Sequence, residues 1–307
     1  MAEIIQKDGT WVFDGDTLRL TPGRDKNVGL LRRTLGELTL PLSALAGISF
    51  EQGKKAGRLR LRLRDGADPL LHATGGRLTE PHDPYRLLVE SDRFGVAEYF
   101  ADEVRNALLL EEVPSEAVES YLLPGPSVPL SVSAGDGTAS FDGECVKLEW
   151  NWKTEEAKAT AGTRTLPVAE ITAVEWHPAA GLGNGHLRFT VRGAATKAPP
   201  KYDPNAVELW GFKKDPLMAL VAAAVQARLP HPSGAPEDAV PGARDRLAAA
   251  PSAVPAVPAV PAVPAVPAGD EHDALLRRLR ELGGLHRDGV LTDEEFAVAK
   301  QAVLKRM

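Results

Sequence analysis

The sequence predicts an α+β protein with two tandem copies of a small antiparallel sheet or barrel domain, each closed by a C-terminal helix. Three observations lead to this prediction: a long internal repeat, short alternating segments between turn residues, and a helical pattern at the end of each copy. The pattern of residues 8–20 recurs without a gap at residues 136–148. Such a repeat indicates a duplicated unit, and many short strands with turn signals favour a strongly bent sheet or barrel.

The first copy contains a series of short strand candidates followed by one helix. The predicted strands are residues 3–7, 10–13, 17–20, 28–33, 37–40, 45–50, 57–64 and 85–90. Residues 67–79 contain Gly75 and Gly76 and are predicted to form a loop. Between residues 94 and 110, apolar side chains recur at helical spacing, which predicts the closing helix. Each copy is therefore expected to contain about seven short strands and one terminal helix.

The second copy repeats the order of the first. The matching segments are 39–50 with 165–176, Gly57 with Gly185, and Asp83-Pro84 with Asp203-Pro204. Its terminal helix is predicted over residues 215–229, with one apolar side formed by Leu217, Leu220, Val221, Ala224 and Val225. Because the shared positions are mostly apolar residues or turn formers, they indicate a shared fold rather than a shared site.

The composition changes after residue 230, where proline, alanine, glycine and serine dominate. Five tandem Ala-Val-Pro units occupy residues 253–267, and this spacing of proline favours a disordered, extended polyproline spacer. A docking motif for proline-binding domains is the alternative, although the units lack an adjacent basic residue. The chain then ends in a predicted helical hairpin, whose candidate oligomerisation residues are Leu275, Leu279, Leu282, Phe296 and Leu304.

These elements divide the chain into four predicted parts. The first copy occupies residues 1–115, the second residues 126–230, the linker residues 231–269 and the helical hairpin residues 270–307. A hairpin of about 35 residues buries too little surface to be very stable alone. We therefore expect it to associate with another copy of the chain or with another protein.

Charge and cysteine content narrow the possible functions. The formal net charge of −6 and a pI near 5.7 argue against a general nucleic-acid-binding protein. Cys145 is the only cysteine, which excludes an internal disulfide and is compatible with a reducing cytoplasm. The first residues do not have the pattern of a signal peptide, and no stretch has the length and apolarity of a membrane-spanning helix. We therefore expect a cytoplasmic protein.

A row of arginines in the predicted strand 57–64 is the main candidate site. These arginines alternate with leucines, so their guanidinium groups project from one face of the sheet: Arg58, Arg60, Arg62 and Arg64. Such a face can hold a phosphate, an anionic lipid headgroup or an acidic protein surface. The alternative is a solvated outer face whose charges prevent aggregation through a sheet edge. At the matching positions, the second copy has His186, Arg188, Thr190 and Arg192.

No motif in the sequence identifies a catalytic residue, a cofactor site or a metal site. The histidines lack HExxH spacing and no cysteine pair is present, so no metal site is predicted. Residues 181–185 are glycine-rich, but they separate two strand candidates and are expected to form a hairpin turn. Cys145 is expected to be an inert thiol, with a nucleophile as the alternative. Trp150 and Trp152 share a face if their strand continues, in the core or on a recognition surface.

Two parts of the chain resemble known families. The C-terminal hairpin, with the turn at residues 288–292 and Glu294-Glu295-Phe296, resembles the SHOCT domain of bacterial proteins, which implies oligomerisation or partner contact. The two copies resemble the DUF4429 family in residues 13–15, 40–50, 83–84 and their second-copy equivalents. This resemblance implies an actinobacterial protein with a relative of the pleckstrin-homology fold, and it brings no established catalytic residue or cofactor.

These expectations favour a non-catalytic adaptor without a cofactor. The two pleckstrin-homology-like domains are expected to bind a protein or an anionic ligand, and the spacer presents the hairpin for self-association or for docking on a protein partner. Binding to an anionic membrane surface through residues 58–64 is the main alternative. An enzyme and a nucleic-acid-binding protein rank below it.

Overall fold

The structure is a computed structural model that describes residues 1–193 and 196–234. These residues form small antiparallel sheets and a few helices, as expected for an α+β protein with two tandem domains. The helical hairpin, most of the linker and the candidate oligomerisation residues lie outside the described residues: Leu275, Leu279, Leu282, Phe296 and Leu304. Within the described residues, every helix is too short or too polar to cross a lipid bilayer.

The first copy contains two antiparallel sheets and three α-helices. The first sheet has the strand order β1 (Ala2–Ile5), β2 (Gly9–Phe13), β3 (Thr17–Pro22) and β4 (Leu38–Pro41). The second sheet has the order β5 (Leu45–Glu51), β6 (Ala56–Leu63) and β7 (Arg86–Glu90). The helices are α1 (Leu30–Leu35), α2 (Pro69–Thr74) and α3 (Phe94–Leu110).

The second copy repeats this arrangement in its described residues. Its first sheet contains β8 (Leu130–Ala134), β9 (Gly137–Phe141), β10 (Cys145–Trp150) and β11 (Arg164–Pro167). Its second sheet contains β12 (Ile171–His177), β13 (Gly185–Val191) and β14 (Ala206–Leu209). Its helices are α4 (Glu156–Ala161), between β10 and β11, and α5 (Met218–Gln226), after β14.

Alternating side chains explain why β6 separates a core from an outer face. Leu59, Leu61 and Leu63 are buried, whereas Arg58, Arg60 and Arg62 are exposed. The buried leucines join Phe100 and Ala101 of α3 in the core of the first copy. The predicted helix 94–110 is therefore confirmed, and it covers the inner side of the sheets with its apolar stripe.

An aspartate in the turn before the second strand of each copy joins the two sheets of that copy. Asp8 accepts hydrogen bonds from the Arg32 side chain on α1 and from the backbone N–H of Leu88 on β7. Asp136 accepts equivalent bonds from the ammonium group of Lys158 on α4 and from the backbone N–H of Glu208 on β14. The same pair of contacts therefore joins the two sheets in both copies, although the basic residue is Arg32 in the first copy and Lys158 in the second.

The two copies share a core through α2 and α5, which lie in one compact unit of the chain. Leu31, Leu70 and Ala73 of the first copy pack in the same apolar cluster as the residues of α5. The segment between the copies also returns to the first copy, because the backbone N–H groups of Val118 and Leu123 donate to the carbonyls of Asp65 and Ala67. The copies are thus packed against each other in addition to being covalently connected.

Two assignments of secondary structure in the first copy were wrong. Residues 28–33 were expected to form a strand, but most of them belong to helix α1, which leaves Leu31 buried and directs Arg32 towards Asp8. Residues 67–79 were expected to form a loop, but they contain helix α2. The sequence carries the signals for α2, because Asp68 caps its N-terminus, Pro69 opens it and Gly75 ends it in a left-handed conformation.

Two assignments in the second copy also need correction. The terminal helix was expected over residues 215–229 with one apolar side, but α5 is shorter and all nine of its residues are buried. Helix α2 of the first copy covers the side that a separate domain would expose to solvent. Strand β10 ends at Trp150, so Trp152 lies beyond it with 83% of its surface exposed, and no strand face is shared by the two tryptophans.

Candidate functional site

A groove of about 860 Å³ lies beside the outer face of β5 and β6 in the first copy. The strands supply Gly47, Ser49, Arg60 and Arg62 to its lining. The opposite lining comes from the end of α2 and the segment before β7: His72, Gly75, Gly76, Leu78, Asp83 and Tyr85. The groove exists because the connection between β6 and β7 folds into α2, which packs on α5 and leaves the outer face of the strands uncovered.

The four predicted arginines lie along β6 and its end, but they differ in their contacts. Arg58 lies 3.7 Å from Glu80, which also binds Arg86 at 2.6 Å, so the one carboxylate is shared by two arginines and balances the charge of Arg58 only in part. Arg62 donates one hydrogen bond to the carbonyl of Ala46, at 3.2 Å. Arg64 is half-buried and donates to the carbonyls of Ser43 and Glu116, at 3.1 Å and 2.8 Å, which gives it a structural role.

Arg60 has the least restrained side chain of the four. Among the described residues, its guanidinium group makes no hydrogen bond and no ion pair. Asp83 lies on the opposite side of the groove, where its carboxylate accepts a hydrogen bond from the N–H of Tyr85 at 2.9 Å. Burial raises the pKa of Asp83 above its usual value, and the positive charges of Arg86 and Arg60 act in the opposite direction. The groove therefore contains an exposed cation opposite a partly desolvated carboxyl group.

In the second copy, the arginine at the position of Arg60 is covered and contacts a carboxylate. Arg188 matches Arg60, and its Nε atom lies 3.1 Å from a carboxylate oxygen of Asp203, which matches Asp83. The two atoms are in ion-pair contact without the alignment of a hydrogen bond. A terminal nitrogen of Arg188 also donates to the carbonyl of Ala198, at 2.6 Å. The connection between β13 and β14 therefore lies over Arg188, whereas the corresponding connection in the first copy leaves Arg60 open.

The acidic residues that line the groove differ in how strongly their negative charge would repel an anionic ligand. Asp68 is buried and accepts hydrogen bonds from the N–H groups of Leu70 and Leu71 and from the Tyr85 hydroxyl, at 2.9, 3.0 and 2.7 Å. Burial nevertheless raises the pKa of Asp68, because these bonds offset only part of the desolvation. Glu51 and Asp65 are exposed at the groove, where solvent screens their charges. Lys54 and Lys55 add exposed positive charge at the turn between β5 and β6.

One wall of the groove connects to the contact between the copies. The Nδ1 atom of His72 lies 2.6 Å from the hydroxyl of Tyr121, which also accepts a hydrogen bond from the side chain of Gln226 on α5 at 2.8 Å. Burial lowers the pKa of His72, and the nearby His231 acts in the same direction. A ligand that displaces His72 would therefore disturb a hydrogen-bonded link between the first copy and helix α5.

The other residues considered in the sequence lie outside this groove. Cys145 is half-buried at the start of β10, and none of the described histidines lies with it in a group of candidate metal ligands. The glycine-rich segment 181–185 connects β12 to β13, so its prediction as a hairpin turn is confirmed. Trp176 is buried in the core, and the indole N–H of Trp150 donates to the carbonyl of Gly162.

One group of polar side chains was not predicted from the sequence. Glu175, His177 and His186 bring one potential ligand atom each to within 4.8 Å of one another. His177 and His186 are far from HExxH spacing, but they are direct partners across the β12–β13 hairpin. The two histidines are equally distant from the centre of the turn that Ala180 and Gly183 close, and this centre lies nearer to His177 than the centre of the predicted turn at residues 181–185. Recognising this group requires the register of the hairpin, which places His177 opposite His186.

Comparison with protein families gives one match, which occurs twice. The family model described as "Domain of unknown function (DUF4429)" matches residues 11–105 and residues 139–226. The two matches together cover more than half of the chain, and they fall within the two copies of the sheet and helix arrangement. No curated protein matches the chain.

Proposed function

The chain belongs to the DUF4429 family, which it matches in both of its copies, and we propose that it is a non-catalytic adaptor that binds an acidic protein segment. The first copy binds the ligand in the groove beside Arg60 and Arg62. The second copy packs against the first through helices α5 and α2. In a pleckstrin-homology-like domain, a bent sheet carries a ligand on its outer surface and a C-terminal helix closes its core, and we extend this interpretation to both copies.

The observation that supports this proposal is the difference between Arg60 and Arg188. In the second copy, the matching arginine contacts Asp203 and the carbonyl of Ala198, so it has little capacity left for a ligand. In the first copy, Arg60 faces a groove of about 860 Å³. An exposed guanidinium group binds a carboxylate through two parallel hydrogen bonds, which gives both geometry and energy to the contact.

The shape and charge of the groove favour an extended acidic segment over a single small ion. Arg60 and Arg62 lie two residues apart on β6, so their side chains are spaced by about 7 Å along the strand. Alternate side chains of an extended peptide have the same spacing and can place two carboxylates opposite the two arginines. Lys54 and Lys55 add exposed positive charge in the turn that precedes β6.

The C-terminal part of the chain completes the proposed adaptor. In this proposal the SHOCT-like segment predicted from residues 270–307, which lies outside the described residues, mediates self-association or docks on a second partner. We place the protein in the cytoplasm. Deletion of residues 270–307 is expected to lower the mass measured by light scattering, and an unchanged mass would contradict self-association.

The central test is a binding measurement on the full chain with Arg60→Glu and Arg62→Glu combined. The probe is a fluorescein-labelled peptide of alternating glutamate and serine, followed by fluorescence anisotropy. The matched control combines Arg19→Glu with Arg192→Glu, because these arginines are exposed outside the groove and give the same change in net charge. We expect at least tenfold weaker binding for the groove variant and unchanged binding for the control. Equal loss in both variants, or no loss in either, would contradict the proposal.

An anionic membrane surface is the second candidate ligand. Leu88 is the cross-strand partner of Arg58 and is 48% exposed, so an apolar side chain lies beside the arginines on the outer face. A basic face with an exposed apolar residue can bind an anionic bilayer, with an affinity that falls as the salt concentration rises. Sedimentation with vesicles of phosphatidylserine and phosphatidylcholine distinguishes this candidate. Salt-sensitive sedimentation that the Arg60→Glu and Arg62→Glu variant loses would favour the membrane.

A further inference from the structure

We propose that the second copy contains a binding site for a divalent transition-metal ion, formed by Glu175, His177 and His186. This site is separate from the groove of the first copy and does not depend on the proposed function. The three side chains bring one carboxylate oxygen and two imidazole nitrogens to within 4.8 Å of one another. Imidazole and carboxylate together are the ligand set of many three-residue zinc sites that leave further positions for water.

The fold brings these residues together through the register of one hairpin. His177 at the end of β12 is the direct partner of His186 near the start of β13. Glu175 precedes His177 by two residues, so both side chains project from the same face of β12. The inner face of this hairpin carries the buried Trp176 and Leu187, which pack in the core and fix the backbone beneath the ligands. The three side chains therefore lie on a rigid two-stranded base.

The distances require only small movements to reach metal coordination. In a tetrahedral zinc site with bonds of about 2.0–2.1 Å, the ligand atoms lie about 3.3 Å apart. The present atoms therefore need to approach by on the order of 1 Å, which rotations about side-chain bonds provide without a change in the backbone. Glu175 is exposed, and its carboxylate oxygen lies 3.9 Å from Nε2 of His177. The two imidazole rings stack with their centroids 4.6 Å apart and their planes 15° apart.

The charges near the site act in both directions on a bound cation. Glu175 supplies negative charge at the site, whereas Arg77 and Arg188 lie near the two imidazole rings and oppose a cation. The contact between Arg188 and Asp203 offsets much of the charge of Arg188.

The ligand types indicate which ions the site prefers. Nitrogen ligands from two histidines favour zinc, copper, nickel or cobalt over magnesium and calcium, which prefer oxygen ligands. Glu208 lies on β14 directly opposite His186, and it is held by hydrogen bonds from the side chains of Asn184 and Trp210. Its carboxylate is not among the three grouped ligands, but it adds negative charge near the site.

The first copy provides an internal comparison for this site. The positions that match Glu175, His177 and His186 are occupied there by Ser49, Glu51 and Arg58. An arginine at the third position cannot bind a metal ion and would repel it. The site therefore belongs to the second copy alone, and the residues of the first copy give substitutions that suit the same backbone.

The test is a titration of the full chain with Co²⁺, monitored by visible absorption, and with Zn²⁺, monitored by calorimetry. We expect one ion to bind tightly, and we expect His186→Arg and Glu175→Ser each to weaken binding at least tenfold. The control is His72→Gln, because this histidine contacts Tyr121 in the first copy and lies outside the site. The control variant is expected to bind as the unchanged protein does.

A thermal measurement separates loss of the site from loss of the fold. Zn²⁺ is expected to raise the melting temperature of the unchanged protein and of His72→Gln, but not that of His186→Arg or Glu175→Ser. If His186→Arg does not fold, the Glu175→Ser variant decides the result. The proposal is overturned if the unchanged protein binds neither ion, if both site variants bind as it does, or if His72→Gln loses binding equally.

Discussion

The two copies have corresponding sheets and a terminal helix each, but they use the outer face of the second sheet differently. In the first copy, Arg60 faces an open groove, whereas in the second copy Arg188 contacts Asp203 beneath the β13–β14 connection. The second copy has instead a stacked pair of histidines at the end of that face. Duplication therefore kept the residues that fold the domain and changed the residues that face outward, which is where we locate both proposed sites.

A second comparison concerns the ion pair that joins the sheets of each copy. In the first copy, the side chains of Arg32 and Asp8 are 5% and 17% exposed, so water reaches the carboxylate. In the second copy, those of Lys158 and Asp136 are 0% and 2% exposed, and their atoms are 2.6 Å apart. The same link is therefore much more deeply buried in the second copy, where the loss of one partner is more costly.

The largest expected effect comes from Lys158→Met. This change leaves the carboxylate of Asp136 buried without its cation, and we expect the free energy of unfolding to fall by about 3–5 kcal/mol. The matching change, Arg32→Met, is expected to cost less because Asp8 is partly solvated. Urea denaturation followed by tryptophan fluorescence measures both variants. Lys147→Met in the exposed pair with Glu149 is the control, with an expected change below about 0.5 kcal/mol.

The cost of Lys158→Met is also expected to depend on pH. Burial raises the pKa of Asp136 in the folded protein, and removal of Lys158 raises it further. A carboxyl group with a raised folded-state pKa takes up a proton more readily when folded than when unfolded. Lowering the pH therefore protonates Asp136 in the folded variant and reduces its loss of stability. Lys158→Met is therefore expected to be less destabilised at pH 5 than at pH 8. An equal loss at both values would contradict an uncompensated charge.

The next effect concerns the shared core of the two copies. Leu70 of α2 is buried against α5, and Leu70→Ala is expected to reduce the free energy of unfolding by about 2–4 kcal/mol. Because the first copy covers α5 of the second copy, the variant is expected to separate one thermal transition into two. Differential scanning calorimetry measures this. Leu88→Ala, at a side chain that is 48% exposed, is the control and is expected to retain a single transition.

A smaller effect distinguishes the two matching arginines. Arg188→Met leaves the fully buried Asp203 without its cation, and we expect a loss of about 2 kcal/mol in the free energy of unfolding. Arg60→Met removes an exposed side chain with no partner among the described residues, so its cost is expected to stay within about 0.5 kcal/mol. Chemical denaturation compares the two directly. Equal costs would mean that the two positions have the same role.

The smallest expected effect is the contribution of His186 to the pH dependence of the free energy of unfolding. Its pKa of about 4 in the folded protein lies below the unfolded value near 6.5, so the unfolded chain binds the proton more strongly between these values. Stability that is present above pH 6.5 is therefore lost as the pH falls towards 4. For this partly solvated ring we expect about 1 kcal/mol, which His186→Gln removes. Unfolding midpoints at pH 7 and pH 5 measure the difference.

Much of the fold followed from the sequence because its signals are local. The alternation in β6 and the helical spacing of α3 were read correctly, and the internal repeat located both copies. Helix α1 was missed because Val28, Leu30 and Leu31 form a short apolar run whose spacing does not distinguish a short helix from a strand. Helix α2 was missed although Asp68-Pro69 and Gly75 mark its two ends.

The sites were less predictable because they depend on contacts between distant segments. The arginine row was visible in the sequence, but the difference between Arg60 and Arg188 depends on where the connection after β6 or β13 lies. The complete burial of α5 depends on the other copy, which no pattern within residues 215–229 reveals. The predicted hairpin of residues 270–307 lies outside the described residues and stays a prediction.

The central claim is that the outer arginine is open in the first copy and closed in the second. Treatment of the native full chain with an arginine-specific dicarbonyl, followed by peptide mass spectrometry, measures the reaction rate of each arginine directly. We expect Arg60 to react at least tenfold faster than Arg188, and the exposed Arg192 to react at a rate close to that of Arg60. An Arg188 that reacts as fast as Arg60, or an Arg60 that is protected in the free protein, would contradict the account.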